Sequence, residues 1–187
     1  MAGDRAPTIA DVWAAAQRIA PFVRRTPVAS SAEIDALCGA RVLLKCEHLQ
    51  HTGAFKYRGA TNAVQSLTDT EAAHGVATHS SGNHGQALAM AAQVRGIPCH
   101  VVMPHNSTRI KLDAVRAQGA TVSLCEPTMA AREARLAQVL ADTGATAVHP
   151  FTDPRVIAGQ GTAVRELLAD HPDVDLIMTP VGGGGLI

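Results

Sequence analysis

Between residues 75 and 150 the chain alternates short apolar runs with amphipathic stretches, at a spacing that few folds accept. GVATHS, IPCHVVMP, ATVSLCEP and ATAVHP each read as a short strand. The intervening GNHGQALAMAAQVRG, TRIKLDAVRAQG and MAAREARLAQVLADTG read as helices. Gly96, Gly119 and Gly144 stop those helices, and Thr108 or Ser107 opens the second. Strand starts recur about every 23 residues, the length of a strand–helix–strand unit and not of a solenoid repeat. Strands joined this way run parallel with right-handed crossovers, so the block predicts a parallel sheet and an α/β fold class.

The flanks have a different character. Residues 8–20 form an Ala-rich helix, while RTPVASS and ARVLLKCEHL read as strand or extended segments. After residue 152, PRVIAGQGTAVRELLAD reads as a helix and VDLIMTPV as a strong strand. Residues 1–74 and 153–187 are expected to form parts of one larger, incomplete domain, with 75–152 inserted as a small parallel subdomain. The chain closes on DLIMTPVGGGGLI, a strand running into four glycines. Such a run suits close approach to a ligand, its N–H groups facing an anion together with the next helix's N-terminus. No such helix follows in the sequence, so the chain is expected to be truncated within a functional loop.

Composition removes several function classes. Hydrophobic residues make up 47% and charged residues 17%, enough for a buried core and too apolar for disorder. Sixteen basic residues balance sixteen acidic ones and no basic run exceeds Arg24-Arg25, which argues against nucleic acid or an anionic membrane as partner. No apolar run approaches membrane-spanning length and the N-terminus lacks an apolar signal core. Cys38, Cys46, Cys99 and Cys125 are dispersed, fitting a thiol-reducing cytoplasm better than a disulfide framework. The nine histidines form no HxxxH or HExxH pattern, so no metal site is assigned and most are expected on the surface or in loops.

Three segments carry chemistry. HTGAFKYRGA holds Lys56, one of only three lysines, between Phe55 and Tyr57 with Gly53 and Gly59 on either side. A lysine held by packing, its charge depressed by burial, can condense with a carbonyl, which is how pyridoxal phosphate is held in its enzymes. Phe55 and Tyr57 would supply the packing, and the two glycines would let the backbone approach a cofactor. A turn with an exposed lysine is the competing reading. HSSGNHGQA lies between a strand end and a helix start, at the edge of a parallel sheet where ligands bind. Its N–H groups would hold a carboxylate, although Ser80, Ser81 and Asn83 also serve as helix caps. VGGGG is neither GxGxxG nor a Walker loop, which weakens nucleotide binding, and alone it fits a flexible linker.

Together the segments are more specific than any one of them. KCEHLQHTGAFKYRGA, THSSGNHGQAL, VIAGQGT and PVGGGGL resemble the signatures of the fold-type-II pyridoxal-phosphate enzymes, the tryptophan-synthase-β-like fold, most closely the serine racemase and serine/threonine dehydratase branch. The resemblance runs from about residue 8 to the C-terminus. It implies pyridoxal phosphate as cofactor, linked to Lys56, with Phe55 bordering its ring and Asn83 contacting the ring hydroxyl. Gly182, Gly183, Gly184 and Gly185 would cradle the phosphate, and Ser80, Ser81 and His84 the substrate carboxylate. Arg132, in CEPTMAARE, resembles an arginine that reaches the substrate pocket in serine racemases; a solvated helix charge beside Glu133 is the alternative. The implied activity is removal of water and ammonia from a 3-hydroxy amino acid such as serine or threonine, giving a 2-oxo acid. Ser81 stands where dehydratases restricted to the L-form carry alanine, so it is the expected acid on the face opposite Lys56 and implies racemisation. The resemblance also implies a homodimer for the full-length protein. In some members it implies a divalent-cation site, in a region with no counterpart in this sequence. A non-catalytic remnant acting as a binding module is the reading from another class.

Overall fold

The computed structural model describes residues 5–80 and 82–187. Helix α1 (Ile9–Ile19) is followed by two short strands, β1 (Val28–Ala29) and β2 (Leu44–Lys45), with α2 (Ala32–Cys38) between them. Helices α3 (Lys56–Gln65) and α4 (Asp69–His74) lead into β3 (Val76–His79). Then α5 (Asn83–Arg95), β4 (Cys99–Pro104), α6 (Arg109–Ala117), β5 (Thr121–Cys125), α7 (Met129–Thr143) and β6 (Thr146–Ala147) alternate, and α8 (Pro154–Asp170) follows. The sheet has the order β5-β4-β3-β6 with every pair parallel, in the register Val76↔Cys99, His100↔Thr121 and Val76↔Thr146. β1 and β2 pair separately and antiparallel. Among the described residues no helix is long and apolar enough to cross a membrane.

The inner strands β3 and β4 are buried on both faces, and their side chains sort by strand parity. Val76, Val101 and Met103 join Leu88, Ala92 and Val115 in one apolar cluster, whereas Ala77 and Val102 point the other way toward Val139 and Ala145. Helices α5 and α6 therefore cover one face and α7 the other. Gly96 and Gly144 end α5 and α7 in the left-handed conformation, as the spacing predicts. Helix α5 is buried nearly all round because α3 lies against its outer side, so one core runs from Val101 through Leu88 to Tyr57, Val64 and Val156 of α8.

Two expectations fail. VDLIMTPV forms no strand: a strand needs a ladder partner, none runs beside it among the described residues, and Leu176, Met178 and Val181 are exposed. The Lys56 segment is a helix start and not a turn, and Gly59 does not approach a cofactor. A Cβ at Gly59 would lie 2.6 Å from the Val156 carbonyl, and one at Gly159 would lie 2.6 Å from the Gly59 Cα. The two glycines let α3 and α8 cross backbone to backbone. Of the nine histidines only His79 and His84 are buried, both at the carboxyl edge of the sheet, so most lie outside the core as expected.

Behind that crossing, charge is fully matched. The buried Arg58 guanidinium donates to Glu47 at 2.8 and 2.9 Å and to Glu166 at 2.7 and 2.8 Å, and Lys45 donates to Glu166 at 2.7 Å. Two cations and two carboxylates close a neutral quartet joining β2, α3 and α8.

Candidate active site

The route into α3 fixes where Lys56 points. The Gln50 side chain accepts from the Arg24 and His51 amides, both at 3.0 Å, and donates to the Arg24 carbonyl at 2.8 Å. Thr52 and Gly53 then adopt left-handed φ values of 62° and 70°, turning the chain into the helix. Lys56 is the first helical residue; its Nζ donates to the Pro150 carbonyl at 2.7 Å and lies 5.3 Å from the Phe55 ring centroid. No carboxylate pairs with it among the described residues, and burial pushes its pKa down. Such an amine is a better nucleophile and base at neutral pH than an exposed lysine.

Opposite Lys56, β3 ends and α5 begins. Gly82, not Ser80 or Asn83, is the N-cap, and no side chain caps the helix among the described residues. Ser80 is buried, and its hydroxyl accepts from the Gly82 amide at 3.2 Å. Asn83 opens the helix on its exposed side. Ser81 lies outside the described residues. Gly85 brings this end of α5 down onto the sheet, since a Cβ there would meet Val101 at 2.9 Å and Ser80 at 3.3 Å. The uncapped N–H groups and the positive end of the helix together form a seat for an anion.

His84 Nε2 meets the Val148 carbonyl at 3.2 Å, so that nitrogen carries the proton; Nδ1 is buried with no partner among the described residues. Burial, with the nearby Lys56 charge adding to it, pushes the His84 pKa down to about 4, so the ring is neutral at pH 7. A neutral ring with an acceptor at Nδ1 does not attract a carboxylate, so His84 suits an N–H or O–H donor instead.

A cleft of about 380 Å³ brings Lys56, Ser80, Asn83, His84 and Arg132 together. Arg132 arrives from the first turn of α7, half-buried, its Nε without a partner among the described residues. Lining residues that went unread in the sequence include His79, Lys111 and Phe151. His79 stacks edge-on against His149 at 5.5 Å, and His149 against Phe151 at 4.5 Å. The signal for His149 and Phe151 was positional, because they follow β6 at the same sheet edge as Ser80. Phe55 touches Lys56 but Phe151 is the aromatic lining the cleft. The glycine run returns to it: a Cβ on Gly183 would clash with the Phe151 ring, one on Gly185 would stand 2.9 Å from the Phe151 Cα, and Gly184 has φ 86°. Gly182 has no neighbour within 4 Å of its Cβ position.

Residues 19–187 match the family described as "Pyridoxal-phosphate dependent enzyme". The chain belongs to that family. It is 52% identical over 181 residues to the β-hydroxyaspartate dehydratase of Paracoccus denitrificans (strain Pd 1222), covering 97% of this chain and 58% of the relative. It is 47% identical over 180 residues to the serine racemase of Dictyostelium discoideum, covering 96% of this chain and 56% of that one. The structure of maize serine racemase superimposes with a TM-score of 0.95 at 44% identity, covering 97% of this chain and 55% of the other. The chain thus spans somewhat more than half the length of these relatives, and the cofactor is pyridoxal phosphate.

The residues present fit that cofactor. A side-chain-free cradle closes on Phe151, and an amine with depressed pKa stands across the cleft from the start of α5, the amine without a carboxylate partner and the helix end without a side-chain cap among the described residues. Each feature is costly or unused without a ligand.

Proposed function

We propose that the protein is a dehydratase of 3-hydroxy amino acids, releasing ammonia and a 2-oxo acid, with racemisation of the same substrates as a second activity. The single observation that carries this reading is the Lys56 amine, half-buried, held by the Pro150 carbonyl and free of any carboxylate among the described residues, facing the uncapped end of α5. Serine and β-hydroxyaspartate, the substrates in the relatives' names, are both 3-hydroxy amino acids, and we assign this chain to the same class.

Bound pyridoxal phosphate supplies the electron sink for the pair left when the α-proton is removed. Lys56 is the residue to hold it and, when free, the base that takes the α-proton at Nζ. Gly182, Gly183, Gly184 and Gly185 would hold the phosphate, Phe55 and Phe151 would flank the ring, and Asn83 would reach its hydroxyl. The amides after Ser80 hold the substrate carboxylate and fix the Cα–H toward Lys56. Ser81 is the proposed proton donor on the opposite face. Net loss of water and ammonia from the substrate, with one water regained, balances to the 2-oxo acid.

We further propose residues 75–152 as the small domain and 1–74 with 153–187 as parts of the larger one. In support, β3 to β6 pair only with one another among the described residues, while α1, α3 and α8 pack together. A cytoplasmic location is proposed on the four free cysteines. A homodimer and a divalent-cation site rest on the resemblance alone.

The test is ammonia release from L-serine, L-threonine and 3-hydroxyaspartate by cofactor-loaded protein, with chiral analysis of recovered substrate. Release that Lys56→Ala removes supports the reading. Cofactor-loaded protein that releases no ammonia from any of them contradicts it. Ser81→Ala should remove racemisation and spare L-elimination; equal loss of both would show that Ser81 does not act as the second acid.

A further inference from the structure

The turn between β6 and α8 is folded by a side chain. Its two ends are fixed: the Val148 amide donates to the Ala77 carbonyl at 2.9 Å, and the Asp153 side chain caps α8 by accepting from the Arg155 amide at 2.8 Å. Between them, no backbone–backbone hydrogen bond involves residues 149–152 among the described residues, and Pro150 has no N–H to give. The Phe151 and Thr152 amides instead both donate to the Nδ1 of His149, at 3.4 and 3.2 Å. The ring nitrogen thus does what an Asn or Asp oxygen does in an Asx-turn.

The His149 ring is held for that task. It stands edge-on to His79 at 5.5 Å and to Phe151 at 4.5 Å. An Nδ1 that accepts must be unprotonated, so the proton sits on Nε2 and the ring is neutral. Burial pushes its pKa down; His79 and Lys56 act in the same direction, Asp153 and Glu133 against it.

This short turn has two dependants. The Pro150 carbonyl accepts from the Lys56 Nζ at 2.7 Å. Phe151 backs the glycine run: a Cβ on Gly183 would clash with its ring, and one on Gly185 would lie 2.9 Å from its Cα and 3.2 Å from its carbonyl oxygen. A shift of the turn therefore moves the amine's acceptor and the floor of the cradle together.

We propose that His149 is a positioning residue for cofactor binding, its Nδ1 fixing the turn that seats the Lys56 amine and backs the glycine cradle. It acts through Pro150 and Phe151 and not on the reacting atoms. The proposal rests on the assignment of Lys56 and residues 182–185 to the cofactor, and adds to it a residue outside that set.

Two substitutions separate the acceptor from the ring. His149→Phe keeps the edge-on stacking and removes the acceptor; His149→Asn keeps an acceptor at the place of Nδ1 and removes the ring. Equilibrium dialysis measures the affinity of each chain for pyridoxal phosphate and for pyridoxal, which lacks the phosphate. His149→Phe should weaken pyridoxal phosphate by about tenfold, since two amides lose their acceptor. It should also narrow the margin over pyridoxal, because the cradle backs the phosphate. His149→Asn should bind both ligands nearly as the unsubstituted chain does. Should circular dichroism show that His149→Phe does not fold, His149→Gln, whose acceptor is displaced from the Nδ1 position, takes its place. An acceptor-less or displaced variant that binds pyridoxal phosphate at full affinity overturns the proposal. So does an Asn variant weakened as much as the Phe or Gln one, which would give the effect to the ring. Failure of the underlying assignment looks different: Lys56→Ala would then bind pyridoxal phosphate as tightly as the unsubstituted chain.

Discussion

Lys56 and Arg58 leave the same turn of α3 two residues apart and meet opposite environments. Arg58 enters the wall between α3 and α8, where Glu47, Glu166 and Lys45 complete a neutral quartet and every strong donor has an acceptor. Lys56 enters the cleft, where its polar partner among the described residues is a backbone carbonyl and the neighbouring charges that line the cleft, Lys111 and Arg132, have its own sign. The chain as a whole is neutral, with sixteen charges of each kind. A local surplus of three cations is therefore a placement that folding alone does not require. Matched charge marks the scaffold, and unmatched charge marks where ligands supply the missing partner.

The contrast can be broken from either side. The largest effect is expected at Lys56: Lys56→Ala should lower turnover on the order of 10³-fold or more while moving folding stability by no more than about 1 kcal/mol, because no paired charge is orphaned. Chemical denaturation beside the ammonia assay measures both. Glu166→Ala should do the reverse. Leaving Arg58 and Lys45 buried without their shared carboxylate should cost about 3–5 kcal/mol, read as a lowered denaturant midpoint. Comparable stability losses from the two substitutions would dissolve the distinction.

The neutral, buried His84 ring gives the contrast a pH signature. Its folded pKa is depressed to about 4, below the ordinary value of 6.5. The unfolded chain therefore binds the extra proton first as pH falls. Stability present above pH 6.5 is lost through the window down to about 4, by at most about 3 kcal/mol. His84→Gln should flatten that part of the pH–stability curve. An unchanged slope would show that the ring already carries its proton in the folded state. The smallest effect is expected at the helix crossing: Gly59→Ala should cost about 1–3 kcal/mol by forcing α3 off the Val156 carbonyl. Activity should fall only as far as Lys56 is displaced with the helix.

Much of this was legible in the sequence where the signal is local. The alternation from Val76 to Ala147 follows from the period of each apolar run, and the stops at Gly96 and Gly144 follow from the left-handed cap. Helix α3 was not legible, because it is buried nearly all round and polar residues interrupt its apolar pattern: Arg58, Thr61 and Asn62 are buried beside Tyr57, Ala60 and Val64, and Arg58 and Asn62 find their partners on segments far away in sequence. Periodicity in apolar residues cannot find a face built from tertiary hydrogen bonds. VDLIMTPV has the opposite fault, with the apolar pattern of a strand and no partner among the described residues. In the site, Lys56, Asn83 and Arg132 stood out through the motifs around them. Lys111, His79 and Phe151 did not, because the carboxyl edge of the sheet assembles them from separate loops and helices.

Three lysines offer an amine, and each has a different place. Lys45 is bound to Glu166, Lys111 covers the start of α5, and Lys56 is the lysine held for the cofactor. Protein incubated with pyridoxal phosphate, treated with borohydride and digested should yield one modified peptide, and fragmentation should place the label on Lys56. Label on Lys45 or Lys111 with Lys56 unmodified would contradict the account.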